Sequence, residues 1–248
     1  MADNRLHDTN SRAVTINAQP GPITIDLANT AVIVVDMQND FGAKGGMLDR
    51  FGIDISPIRA AIGPTAVVLA AARQSGITII YLKMGFRPDL SDLGSADSVN
   101  RTLHLMVGVG DTIQAPNGAE SHILIRDTWN TDIVPELEPH ADDRVIYKHR
   151  YSGFYQTELD ATLQQLGIKY LIITGCTTSV CVESTVRDAM FRDYVCVLLA
   201  DCMGEPIGHD MPRSNHEASL LVIQLQFGRV SDSDAFTQAL ETQPIAIG

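Results

Sequence analysis

The sequence predicts an α/β protein, a three-layer α/β/α sandwich built on a central, mostly parallel six-stranded sheet. Three observations lead there. Apolar runs of strand length alternate with stretches of helical period, the pattern of βαβ units. Those runs are continuously apolar, as strands covered on both faces must be. A chain of 248 residues, 45% hydrophobic, is long enough to bury one large core without requiring a second domain.

In chain order, residues 1–25 read as a partly ordered N-terminal arm, and 26–248 as one domain. The strands are "AVIVVDM" (31–37), "ITIIYLKM" (77–84), "DRVIYKH" (143–149), "YLIITG" (170–175), "VCVLLAD" (195–201) and a short "GRVSD" (228–232). Helices fill the gaps. "TAVVLAAARQSG" (65–76) ends on a capping glycine, "TELDATLQQLG" (157–167) opens on a Thr cap and ends on glycine, and "RSNHEASLLVIQLQ" (213–226) follows. The polar, irregular segment 85–130 is expected to stay outside the core as a lid or substrate wall.

A net charge of −12 speaks against a nucleic-acid partner, which needs clustered Lys and Arg. No run reaches the roughly 18 apolar residues of a membrane helix, and the N-terminal stretch lacks the apolar centre of a signal peptide. A cytoplasmic, soluble protein is therefore expected. The four cysteines, at 176, 181, 196 and 202, show no CxxC spacing that would suggest zinc or a redox pair.

In an open parallel sheet, ligands bind beyond the carboxyl ends of the strands. Asp36 stands where the first apolar run stops, Lys148 at the exit of the third strand, and Cys181 after the fourth, as the first residue of a helix whose buried face carries Val182, Val186, Ala189 and Met190. The Asp36 carboxylate is expected to be largely desolvated there, with a turn cap as the lesser reading, while Lys148 taken alone suits a solvated surface position. A thiol at a helix N-terminus beside an ammonium is expected to be largely thiolate near neutral pH, hence nucleophilic. Cys176, Cys196 and Cys202 read as apolar filler. His149 alternates with Lys148 and so points to the other face of its strand, which leaves Asp36 as the base.

The motifs "VVDMQNDF", "YKHRYSGF" and "TGCTTSVCVESTVRDA" resemble, over roughly residues 28–242, the isochorismatase-like cysteine hydrolases. The resemblance implies a Rossmann-like fold and a catalytic triad carried by Asp36, Lys148 and Cys181. It further implies a non-proline cis peptide at Cys176–Thr177, with the backbone N–H groups of Thr177 and Cys181 as oxyanion hole. It implies no cofactor. The partner is then a small-molecule ureido or amide substrate, and the expected assembly a homo-oligomer, dimer or tetramer.

In detail, "GGMLDRFGIDIS" (45–56), "KHRYSGF" and "CVESTVRDAMFRDY" resemble ureidoacrylate amidohydrolases, and "GFRPDLSDL" resembles biuret hydrolases. Both imply cleavage of a terminal ureido group to ammonia and a carbamate. Other amides of the family (N-carbamoyl amino acids, maleamate, nicotinamide) and a non-catalytic binding module are the alternatives. Nicotinamidases carry a metal-binding Asp and histidine cluster after the second strand. "YLKMGFRPDLSDL" holds no histidine, so no metal is expected. Arg87 is a candidate for a substrate carboxylate, although a structural salt bridge suits it better. Asn39, Phe41, Tyr151 and Phe154 are pocket candidates that ordinary packing would also explain.

Overall fold

A computed structural model describes residues 12–208 and 210–242. The strands are β1 (Ala13–Ile16), β2 (Ile23–Asp26), β3 (Thr30–Val35), β4 (Thr78–Met84), β5 (Thr112–Gln114), β6 (Glu120–His122), β7 (Arg144–Lys148), β8 (Tyr170–Cys176), β9 (Val195–Gly204) and β10 (Arg229–Ser231). The helices are α1 (Asn39–Gly42), α2 (Met47–Arg50), α3 (Ser56–Gln74), α4 (Val99–Met106), α5 (Leu159–Gln165), α6 (Glu183–Met190), α7 (Asn215–Gln226) and α8 (Ser233–Glu241).

Six strands form one sheet in the order β10-β9-β8-β3-β4-β7. Every pairing in it is parallel, where the sequence promised only a mostly parallel sheet. Central β3 explains the continuous apolar runs. Val32 and Val34 face one core, with Val68 of α3 and Phe236 of α8, while Ala31, Ile33 and Val35 face the other, with Leu159 of α5 and Val186 of α6. Three layers result, and the carboxyl ends of β3, β4, β7 and β8 meet at one edge of the sheet.

Several expectations are corrected. Residues 13–25 of the partly ordered arm, with Asp26, form the antiparallel β1–β2 hairpin, which buries Val14, Ile16 and Ile25 and reaches the sheet edge through Gln19 and Val230. Residues 1–11 of that arm lie outside the described residues. Helix α3 starts nine residues before position 65 and runs through Pro64, because packing of Ile58 and Ala61 outweighs one lost backbone hydrogen bond. Segment 85–130 is not all outside the core. It contains α4 and the β5–β6 hairpin and buries Leu93, Val109, Ile113 and Ile125. Helix α5 is shorter than expected, although Thr157 Oγ1 does accept from Leu159 N–H and Gly167 does end it at φ +66°. Helix α7 begins with a full capping box between Ser214 and Glu217.

Candidate active site

Asp36 leaves β3 with φ +52°, a left-handed conformation that Asp tolerates better than most residues and that turns the chain out of the sheet. Its N–H donates to Leu82 O of β4, so the turn is anchored to the neighbouring strand. Gln38 extends that anchor. Its Nε2 donates to Met84 O and Thr131 O, and its Oε1 accepts from Met84 N–H, all without solvent access. Asp40 is equally buried and accepts from Met47 N–H, Leu124 N–H and Asn130 Nδ2. Burial raises its carboxyl to about 6, a shift those donors only partly oppose. The VVDMQNDF motif thus serves mainly to lock three loops around one carboxylate.

Lys148 ends β7 with its side chain fully buried, and its Nζ lies 2.7 Å from Asp36 Oδ2. The contact is a fully buried ion pair, with the Lys148 ammonium as the nearest positive charge to the Asp36 carboxylate. Lys148 Nζ also donates to Arg150 O at 3.3 Å. The thiol of Cys181 interacts with both groups. Burial raises the Asp36 carboxyl against the opposing pull of Lys148. For Lys148, burial acts to lower the ammonium, but Asp36 and Cys181 together hold it above its usual value.

The peptide Cys176–Thr177 is cis, as the resemblance implied. Cys181 does not open an α-helix. It is the fourth residue of a π-helical turn, Thr178–Val182, that leads into α6. Nor is a resting thiolate favoured. Burial pushes the Cys181 thiol up, Lys148 offsets this in part, and Asp36 adds to it. Desolvation, which the dipole-based expectation left out, works against the thiolate here.

Neighbouring contacts fix the turn. Glu205, just past β9, accepts from Ser179 N–H and Ile207 N–H, and Thr178 Oγ1 lies 2.9 Å from His216 Nδ1. Thr185 Oγ1 donates to Cys181 O and accepts from Gly153 N–H, joining the YSGF turn to the cysteine. A Cβ at Gly153 would run into Leu82 Cδ1 and crowd Leu159 Cδ2, so a side chain there would force these core residues to shift.

Cys181 opens into a cavity of about 260 Å³, which Thr177, Phe41 and Tyr151 also line. The other pocket candidates lie elsewhere. Asn39 Nδ2 donates to Trp129 O and borders a separate cleft with Lys83 and Asp132. Arg87 lines an outward-facing cleft with Asp92, Arg126 and His149, the last on the far side from Lys148 as its alternation required. Phe154 is core, stacked on Tyr194 with ring centroids 5.7 Å apart. Gln38 and Asp40 were in plain view inside a quoted motif. Glu205 would have emerged from the same strand-end reasoning had β9 not been ended at residue 201.

Fold and site together define a hydrolase-type centre in which a buried carboxylate, ammonium and thiol meet at the carboxyl edge of a parallel sheet. The sequence matches the isochorismatase domain over residues 30–235, and the chain is a hydrolase belonging to that family. Among curated relatives, a ureidoacrylate amidohydrolase RutB of Methylorubrum extorquens is 40% identical over 230 residues, covering 93% of this chain and 90% of the relative. The RutB of Serratia proteamaculans is 38% identical over 227 residues, covering 92% and 89%. Among solved structures, a cysteine hydrolase from Pseudomonas syringae pv. phaseolicola superimposes with TM-score 0.74 at 29% identity, covering 88% of this chain and 95% of that one. An N-carbamoylsarcosine amidase from Thermoplasma acidophilum shares the fold, with TM-score 0.62 at 24% identity over 83% and 97% of the two chains.

Proposed function

We propose that this protein is an amidohydrolase that cleaves the terminal ureido or carbamoyl amide of a small molecule through a Cys181 thioester. The reading rests on one observation: Asp36 and Lys148 meet 2.7 Å apart, out of solvent, against a thiol that opens into a ligand-sized cavity. The ureidoacrylate amidohydrolase relatives support the substrate class.

Asp36 takes the thiol proton, Lys148 stabilises the sulfur anion, and Cys181 Sγ attacks the amide carbon. The oxyanion forms against the N–H groups of Thr177 and Cys181. As the intermediate collapses the C–N bond breaks, and the proton held by Asp36 leaves with the nitrogen as ammonia. Asp36 then draws a proton from water, which attacks the thioester. The products are the carbamate and the free thiol, and a ureido-derived carbamate loses carbon dioxide.

The substrate is a small molecule, and the chemistry needs no cofactor. A biuret-like ureido compound is a further substrate of the same type. The protein acts in the cytoplasm, a setting supported by four buried cysteines that are all unpaired. Among the described residues no helix is long and apolar enough to cross a membrane. Homo-oligomerisation is supported by Leu221, Val222 and Leu225, exposed together on α7. The test is ammonia release across ureidoacrylate, biuret, N-carbamoyl amino acids, maleamate and nicotinamide. An acyl adduct should be trapped on Cys181 and seen by mass spectrometry. Turnover without any such adduct would refute the thioester, and absence of turnover on every amide would refute the class.

A further inference from the structure

The walls of the catalytic cavity carry information about the part of the substrate that does not react. Its floor around Cys181 is made by Met84, Leu124 and Val180, and its mouth by Leu103, Met106 and Ile207, which are among the exposed large apolar residues of the protein. The polar side chains on the lining, apart from Cys181 itself, are Thr177, Tyr151 and His104. Burial holds the His104 imidazole below its usual range, and Lys148 and Arg150 add to this, while the contact of its Nδ1 with Asn100 O, at 2.6 Å, opposes it only in part.

The nearby cations lie off the lining of the cavity. Lys148 is neutralised by Asp36. Arg150 donates to Asp92 O and His149 O, Arg126 pairs with Asp92 at 2.9 Å, and Arg87 borders the outward cleft. A carboxylate brought into this cavity would give up its water among mostly apolar side chains, with no Lys or Arg on the lining to meet it, which costs far more than burying a neutral group.

We propose that the substituent beyond the scissile carbamoyl group is uncharged and apolar, so that the preferred substrate is a neutral ureido or amide compound and not an anionic one such as ureidoacrylate. This rests on the amidohydrolase reading for the nature of the scissile bond, but the cavity argument itself needs only the reactive thiol.

Two measurements test it separately. The first follows alkylation of Cys181, mapped by peptide mass spectrometry, with neutral iodoacetamide and with anionic iodoacetate, each rate normalised to that on glutathione. The normalised ratio should favour iodoacetamide by about tenfold or more. A ratio at or below that of glutathione overturns the proposal. The second compares kcat/KM for ureidoacrylate and its methyl ester, where the ester should be preferred by about tenfold or more. Preference for the acid overturns the proposal. If no ureido compound releases ammonia, the amidohydrolase reading fails while the alkylation ratio still decides the character of the cavity.

Discussion

Lys148 Nζ and Asp36 Oδ2 lie 2.7 Å apart with both side chains shut off from solvent, an ion pair that brings the carboxyl ends of β7 and β3 together. Removing one partner leaves the other charge buried without compensation, which costs about 3 to 5 kcal/mol. Lys148→Met should therefore destabilise the fold by that order in urea unfolding. The double variant Asp36→Asn/Lys148→Met should regain much of it, while both stay without turnover. A double variant no more stable than the single would show that the pair does not dominate the energetics here.

Cys181 and Cys196 are both buried thiols in the same core cluster, yet only Cys181 touches the ion pair. Cys181→Ala should abolish ammonia release and leave thermal unfolding nearly unchanged. Cys196→Ala should cost roughly 1 kcal/mol of stability and retain turnover. Equal catalytic loss in the two would remove the nucleophile assignment.

Asp40 gives a pH signature. Its native carboxyl is raised to about 6 from an ordinary 3.8, so between those values the folded state holds a proton that the unfolded state has lost. Its contribution to stability is complete below the ordinary value and is lost as pH rises through about 6. Referred to Asp40→Asn, which cannot ionise, wild-type stability should fall by up to about 3 kcal/mol across that window, at about 1.4 kcal/mol per pH unit, and level off above it. Urea titrations from pH 4 to pH 7.5 measure the difference. A flat or rising difference contradicts the shift.

Chelation should leave activity intact. Of the two loop carboxylates after β4, Asp92 accepts from Arg87 N–H and pairs with Arg126, so it is not free to ligate. Among the described residues no group of three or more His, Cys, Asp or Glu side chains is placed to hold a metal ion. Ammonia release before and after dialysis against a chelator decides this. Activity that vanishes and returns with added metal would refute it.

The four inner strands β3, β4, β8 and β9 were legible because each is covered on both faces and so appears as an apolar run, whereas the edge strands β7 and β10 are partly exposed and carry a weaker pattern. Asp36, Lys148 and Cys181 were legible as candidates because three strand exits at the carboxyl edge of one parallel sheet each carry a charged or reactive group, in motifs that resemble one family. The pocket walls were not. Past Asp36 the left-handed backbone re-aims the chain, so Asn39 turns to Trp129 while Phe41, two residues on, reaches the cavity. The walls from Leu103 to Val107 depend on how segment 85–130 folds back over the sheet, a tertiary outcome that local periodicity does not encode. The β1–β2 hairpin was missed because its strands are four residues long and half of each faces outward.

The hydrogen-bond chain Gly153 N–H to Thr185 Oγ1 to Cys181 O gives the YSGF turn an architectural duty that does not depend on the sulfur atom. A descendant of this gene that exchanged Cys181 for alanine would still need Gly153 for clearance and Thr185 for its two bonds. The YSGF turn and Thr185 would keep these contacts for packing with the sulfur gone. In genomes, the difference between a working copy and an inert one would then be carried by a single side chain inside an otherwise unaltered signature.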